Sequence, residues 1–209
     1  YVIPRVRQSQ VNVKVGFTFA TGLRSMLRHD PDIIMIGEIR DRETAEIAIH
    51  AALTGHLVFS TLHTNDSASA ITRLVDMGIE PFLVASSLNS VLAQRLVRKL
   101  CKECKKSYTP TEMELNSLKT SSLPKSITLY KEVGCPACRT TGYKGRTGIF
   151  ELLVVQEEIK ELILKRAPAH QIKAAAIKKG MRTLNEDAIT KLQQGIISLA
   201  EVVRVTEET

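Results

Sequence analysis

Asp30-Pro31-Asp32-Ile33-Ile34-Met35-Ile36-Gly37-Glu38-Ile39-Arg40-Asp41 is the stretch on which the reading of this 209-residue chain turns. Pro31 disfavours helical geometry in the residue before it. The unbroken apolar run Ile33 to Ile36 then reads as a strand buried on both faces, as in a parallel sheet covered by helices. The strand leads directly to Glu38. Ligands of parallel sheets collect at the carboxyl ends of the strands, where nucleotide hydrolases place a carboxylate that holds Mg²⁺ or orients an attacking water. Glu38 is therefore the candidate catalytic carboxylate; capping the next helix or pairing with Arg40 are the plainer alternatives.

The flanking sequence supports an α/β arrangement. Val11, Val13 and Val15 alternate weakly with polar residues, so the stretch Val2 to Val15 is expected to hold a short strand or extended edge. From Thr18 to Arg28, Phe19, Leu23 and Leu27 recur every four residues, and Arg24 and Arg28 form a second row on a neighbouring face. Glu43 to Leu53 reads as a helix capped by Asp41 and ended by Gly55, followed by a second buried strand from His56 to Leu62. The polar run Ser60, Thr61, His63, Thr64 and Asn65 places donors at that strand's exit, and His63 is the residue expected to sense a γ-phosphate. His56 is expected to be structural. Asn65 and Asp66 can cap a helix through Met77, and Pro81 is expected to open an amphipathic helix running to about Leu100. Strand, helix, strand, helix predicts a parallel sheet.

Beyond Leu100 the texture changes. Cys101-x-x-Cys104 and Cys135-x-x-Cys138 have the spacing of thiolate ligands, and in a reducing compartment they point to structural Zn²⁺ rather than to two disulfides. A reduced, unmetallated thiol set is the alternative. Four thiolates leave no open position for water, which argues against catalytic zinc. Lys102 to Pro124 reads as a polar surface insertion with one short helix near Glu112 to Leu118. Gly142, Gly145 and Gly148 precede a strand from Ile149 to Val155, and the tail is helical. Thr183…Glu186 and Ser198…Glu201 both fit the capping-box pattern. The expected domains are 1–100, an ATPase-type core; 101–147, the tetracysteine subdomain; and 148–209, a strand return with a helical tail.

Hydrophobic residues make up 44% of the chain, enough for a buried core, and with aromatics at only 4% that core must be aliphatic, which suits helices on a sheet. The formal charge of +7 favours anionic partners. Arg95, Arg98, Lys99, Lys102, Lys105 and Lys106 form a basic run that reads as a solvated helical face or as a contact with an anionic lipid surface. It lacks the interleaved aromatics of a nucleic-acid platform. No apolar run has the length of a membrane span and Tyr1 does not begin a signal peptide, so a cytoplasmic location is expected.

Gln10-Val11-Asn12, the segment Gly16-Phe17-Thr18-Phe19-Ala20-x-Gly22-Leu23-Arg24-x-x-Leu27-Arg28-x-Asp30-Pro31-Asp32, and the GEIRD and STLHTND stretches together resemble the secretion ATPase family of type II secretion and type IV pilus assembly. The resemblance implies a RecA-like sheet with flanking helices, with the Ile33–Glu38 strand as Walker B and STLHTN as the His box. It implies that Glu38 is the catalytic carboxylate, that His63 contacts phosphate, and that Arg24, Arg28, Arg40 and Arg146 line or reach a nucleotide site. The cysteine pairs mark the assembly branch. It further implies a homo-hexamer using ATP and Mg²⁺, peripheral to the inner membrane and working on a platform protein there. The chain contains no G-x-x-x-x-G-K-[ST], so no turnover is expected from these 209 residues in isolation. The rival expectation is a non-enzymatic zinc module that meets nucleic acid or a partner protein through its basic face.

Overall fold

The computed structural model describes residues 2–118 and 127–207. In chain order its elements are α1 (Phe19–Leu27), β1 (Ile33–Ile36), α2 (Arg42–Leu53), β2 (Leu57–Ser60), α3 (Ser67–Asp76), α4 (Pro81–Ser87), β3 (Ser90–Leu100), β4 (Lys106–Tyr108), α5 (Glu112–Ser117), β5 (Leu129–Lys131), β6 (Tyr143–Val154), α6 (Glu157–Leu164), α7 (Ala169–Lys178), α8 (Leu184–Gln193) and α9 (Leu199–Glu207). The chain gathers into two compact units. The first takes the chain up to Thr64, then Ala68–Asn89 and Val155–Ala175; the second takes Asn65–Ser67, Ser90–Val154 and the chain from Ala176 on.

In the first unit β1 and β2 pair in parallel, Ile33 opposite Leu57 and Ile36 opposite Ser60, as the strand–helix–strand order predicts. Thr18 caps α1 in a reciprocal box with Thr21, and Asp41 caps α2 by accepting from the Thr44 N–H at 2.8 Å. Small residues on α2, Ala45, Ala48 and Ala51, are buried and let α1, α4 and β2 approach it closely. Only one face of the sheet is covered, which corrects the expectation of burial on both. Ile34 and Ile36 are buried, whereas Ile33 and Met35 are each 62% exposed and Leu57 and Phe59 also face outward. The described helices pack on a single side. The expected N-terminal strand is also absent from the described residues: Val13–Val15 forms a 3-10 turn, and Asn12 makes a lone bridge to Phe17.

The second unit is built on β3 and β6, an antiparallel pair running from Ser90 opposite Val154 to Leu100 opposite Tyr143, with a bulge after Arg98. This corrects the helix expected from Pro81 to Leu100, which stops at Ser87. Apolar residues on both faces of the strand, Leu92 and Leu96 on one and Val91, Ala93 and Val97 on the other, imitate helical spacing. Val97 and Ile149 point into a core closed by Leu184, Ala188 and Leu192 of α8, by Ile197, and by Val202 and Val205 of α9. β4 and β5 form a second antiparallel pair that the polar sequence did not predict, whereas α5 lies within the span expected for a short helix. Residues 119–124 of the expected surface insertion lie outside the described residues.

Two buried carboxylates fasten this unit. Glu151 accepts from the N–H and hydroxyl of Ser67 and from the Leu184 N–H, so its carboxyl oxygens satisfy backbone donors at the start of two helices. Glu201, fully buried, departs from the expected capping box. Ser198 accepts from the Glu201 N–H at 3.4 Å, but the Glu201 carboxylate turns to Arg98 and Arg204.

Candidate functional site

The loops leaving β1 and β2 are tied together. The Thr61 hydroxyl donates to the Gly37 carbonyl at 2.6 Å and the Ile39 N–H donates to the Thr61 carbonyl at 3.0 Å. This fixes Glu38 and His63 on one rim, where Nε2 of His63 lies 2.8 Å from Oε1 of Glu38. Arg40 takes the other oxygen, its Nε donating to Oε2 of Glu38 at 2.6 Å. The carboxylate is only 14% exposed, while the imidazole is 88% exposed. A low-exposure carboxylate flanked by an imidazole and a guanidinium can polarise a water or hold a metal-bound phosphate in register. The plainer reading of Glu38 as a partner of Arg40 is thus correct as geometry, but it does not exclude the histidine; the cap of α2 belongs to Asp41.

The remaining arginines differ in their surroundings. On α1, Arg24 donates to Oε1 of Glu43 at 2.6 Å, bridging α1 to the first turn of α2. Arg28, the C-cap of α1, is exposed and has no ion pair among the described residues. Arg146 is in the second unit, on β6, exposed and directly opposite Arg98 in the β3–β6 register. Arg98 is pinned: it donates to Glu201 through Nε and Nη2 at 2.9 and 2.7 Å and lies 4.2 Å from the centre of the Tyr143 ring.

The four cysteines converge in the second unit, with all their sulfurs within 4.8 Å of one another. Cys101 to Cys135 and Cys104 to Cys138 are each 3.8 Å and Cys135 to Cys138 is 3.7 Å. A tetrahedral ion with Zn–S bonds of about 2.3 Å requires sulfur–sulfur edges of about 3.8 Å, so the set could hold such an ion. Backbone N–H groups support the sulfurs: Gly134 donates to Cys104, and Cys135 and Gly142 both donate to Cys138. Burial pushes the Cys135 thiol up to about 11. At Cys138 burial is outweighed by the N–H groups of Cys135 and Gly142, which bring the thiol down to about 6. The basic run beside the first pair is a strand and turn rather than a helical face. Arg95 donates to Asn65, Arg98 to Glu201 and Lys105 to the Gly195 carbonyl.

The family model for "Type II/IV secretion system protein" matches residues 1–204. The chain belongs to that family. It is 54% identical over its whole length to the type IV pilus assembly ATPase PilB of Thermus thermophilus, covering 24% of that protein. It is 52% identical over 99% of its length to the type II secretion system ATPase E of Vibrio cholerae, covering 41% of that protein. Among solved structures the Legionella pneumophila ATPase DotB is similar, with a TM-score of 0.65 and 25% identity over 96% of this chain and 46% of that one. The chain therefore spans less than half the length of each of these relatives. Within the secretion family its fold is α/β, with a parallel strand pair and flanking helices. No helix among the described residues is long and apolar enough to cross a membrane.

Three roles at or beside these sites are not legible in the sequence: Thr61 as the tie between the two loops, Glu43 as the partner of Arg24, and Glu201 as the anchor of Arg98. Thr61 and Glu43 belong to segments already flagged, so a polar side chain beside each was the available signal. Glu201 lies 103 residues from Arg98, and nothing local to either residue reports the contact.

Proposed function

We propose that these residues form part of an ATP-hydrolysing motor of a secretion or pilus-assembly machine. The observation that carries the reading is the 2.8 Å approach of His63 to Glu38 on a rim at the carboxyl ends of two parallel strands. Glu38 polarises the attacking water, with Mg²⁺ neutralising phosphate charge when bound. His63, Arg24, Arg28 and Arg40 contact phosphate, and Arg146 supplies a guanidinium to the site of a neighbouring subunit. The names of the relatives support the motor reading, since both curated relatives are ATPases of such machines.

In the protein at its full natural length the assembly is a homo-hexamer in the cytoplasm, peripheral to the inner membrane, acting on a platform protein there. Lys99, Lys102 and Lys106 supply whatever attraction the basic run offers to anionic lipid. Cys101, Cys104, Cys135 and Cys138 hold a structural zinc ion, a reading supported by three sulfur spacings of 3.7–3.8 Å and by all four sulfurs lying within 4.8 Å of one another. The ion fastens the β4–β5 subdomain and takes no part in hydrolysis.

The test is steady-state ATP hydrolysis by the full-length protein, wild type against Arg40→Ala and His63→Ala. The reading expects both variants to lose activity at least tenfold while still folding. Tight, salt-sensitive DNA binding by a protein with no ATPase activity would instead support the zinc module without enzymatic function.

A further inference from the structure

Glu43 has no role in the chemistry described so far, yet it makes the only ion pair of Arg24 among the described residues. The contact is short, 2.6 Å from Arg24 Nη2 to Glu43 Oε1, and both side chains are more than half exposed. Its place in the fold is specific. Arg24 stands on α1 and Glu43 in the first turn of α2, three residues after Arg40, so the pair brings a second guanidinium to the segment that carries Glu38 and Arg40. The two arginines are held alike, Arg40 by Glu38 in the loop after β1 and Arg24 by Glu43 in the first turn of α2.

Two physical features make the Glu43 contact easy to exchange. An ion pair between exposed side chains is weakly held, because water competes for both charges. A phosphate offers the same planar guanidinium more charge and a matching oxygen fork. Glu43 is not left stranded when Arg24 departs, since it lies at the N-terminus of α2, where the backbone dipoles favour a negative side chain.

We propose that Glu43 is a positioning residue that holds Arg24 in reserve and surrenders it to the phosphates of an incoming nucleoside triphosphate, recapturing it as product leaves. The proposal rests on the nucleotide reading given above. Glu43 thereby sets a competition: part of the binding energy of Arg24 for phosphate is spent on breaking the carboxylate contact, which limits nucleotide affinity and keeps release fast.

The experiment uses the protein at its full natural length, with ADP and ATPγS titrations and ATP turnover for wild type, Glu43→Gln, Glu43→Asp, Arg24→Ala and the double variant Arg24→Ala/Glu43→Gln. Glu43 is exposed, and circular dichroism checks that the fold is kept. Glu43→Gln should bind ADP about two- to fivefold more tightly, equivalent to about 0.4–1 kcal/mol at 1.4 kcal/mol per tenfold. KM for ATP should fall with it and kcat should not rise. Glu43→Asp should restore wild-type affinity. In the Arg24→Ala background Glu43→Gln should have no effect, which separates the specific contact from the removal of a negative charge near an anion site. Unchanged or weaker ADP binding by Glu43→Gln, with Arg24→Ala weakened as expected, would overturn this proposal and leave the nucleotide reading standing. If Arg24→Ala binds nucleotide like wild type, the role of Arg24 falls and this proposal with it.

Discussion

Nε2 of His63 and Oε1 of Glu38 lie 2.8 Å apart, although each residue sits in the loop that follows a different strand. The contact exists because the strands run parallel and both chains turn out of the sheet at the same end, where Thr61 stitches the turns together. Opposite strand directions would have sent the two side chains to opposite ends. In the nucleotide reading, the imidazole leaves Glu38 to meet phosphate or donates across it to the reacting oxygen.

His63→Ala should therefore separate chemistry from stability. The imidazole is almost fully exposed, so the melting temperature should move by no more than about 2 °C, corresponding to less than about 1 kcal/mol. Single-turnover ATP cleavage by the full-length protein should fall by about 10²-fold, the usual loss when one oriented donor is removed. Equal losses of stability and activity would make His63 a structural residue.

Zinc should be stoichiometric and structural. Metal analysis of the purified protein should give one zinc per chain, and the double substitution Cys101→Ser/Cys135→Ser or strong chelation should lower the melting temperature by about 10 °C. Identical melting of the serine variant and wild type would remove the metal from the account.

Gly142 sits in the left-handed region at φ +75°, and a Cβ there would lie 2.4 Å from Cβ of Glu132. Its N–H donates to Cys138 and its carbonyl accepts from the Cys101 N–H, so the position joins both cysteine pairs. Gly142→Ala should destabilise the fold by about 1–3 kcal/mol and weaken zinc retention in a competition assay against a chelator. Wild-type stability and zinc retention would show that the turn adapts.

Glu201 predicts a defined acid dependence. Burial works against its charge, but hydrogen bonds from Arg204 and Arg98 outweigh it and hold the carboxyl at about 2, below its ordinary 4.5. A depressed carboxylate contributes stability that is complete above about pH 4.5 and is lost as pH falls towards about 2. Glu201→Gln should cost about 1–3 kcal/mol at neutral pH, because it removes the buried anion shared by Arg98 and Arg204, whose guanidiniums are about half exposed and stay partly hydrated. Urea unfolding at pH 7 and pH 3 should show a smaller difference between variant and wild type at the lower pH. A pH-independent difference would place the cost elsewhere.

What was legible in the sequence was what is local. Helix α1 with its row of arginines, helix α2 with its Asp41 cap, the two short parallel strands and the cysteine pairs all depend on neighbours a few residues away. Local pattern misleads where distant segments decide. Ser90–Leu100 carries apolar residues on both faces, so its spacing imitates a helix until β6, more than forty residues on, supplies the antiparallel partner. Ile33 and Met35 are apolar on a sheet face that the described helices leave open, and strand composition alone does not tell one covered face from two. Glu151 and Glu201 are carboxylates inside an apolar core, understandable only once Ser67, Leu184, Arg98 and Arg204 have been brought to them.

The most direct test of the central claim is single-turnover cleavage of ATP by the full-length protein carrying Glu38→Gln. If Glu38 is the group that polarises water, the variant should bind ATP within about threefold of wild type yet cleave it at least 10²-fold more slowly. Cleavage at the wild-type rate with normal binding would contradict the assignment of the rim as the hydrolytic centre.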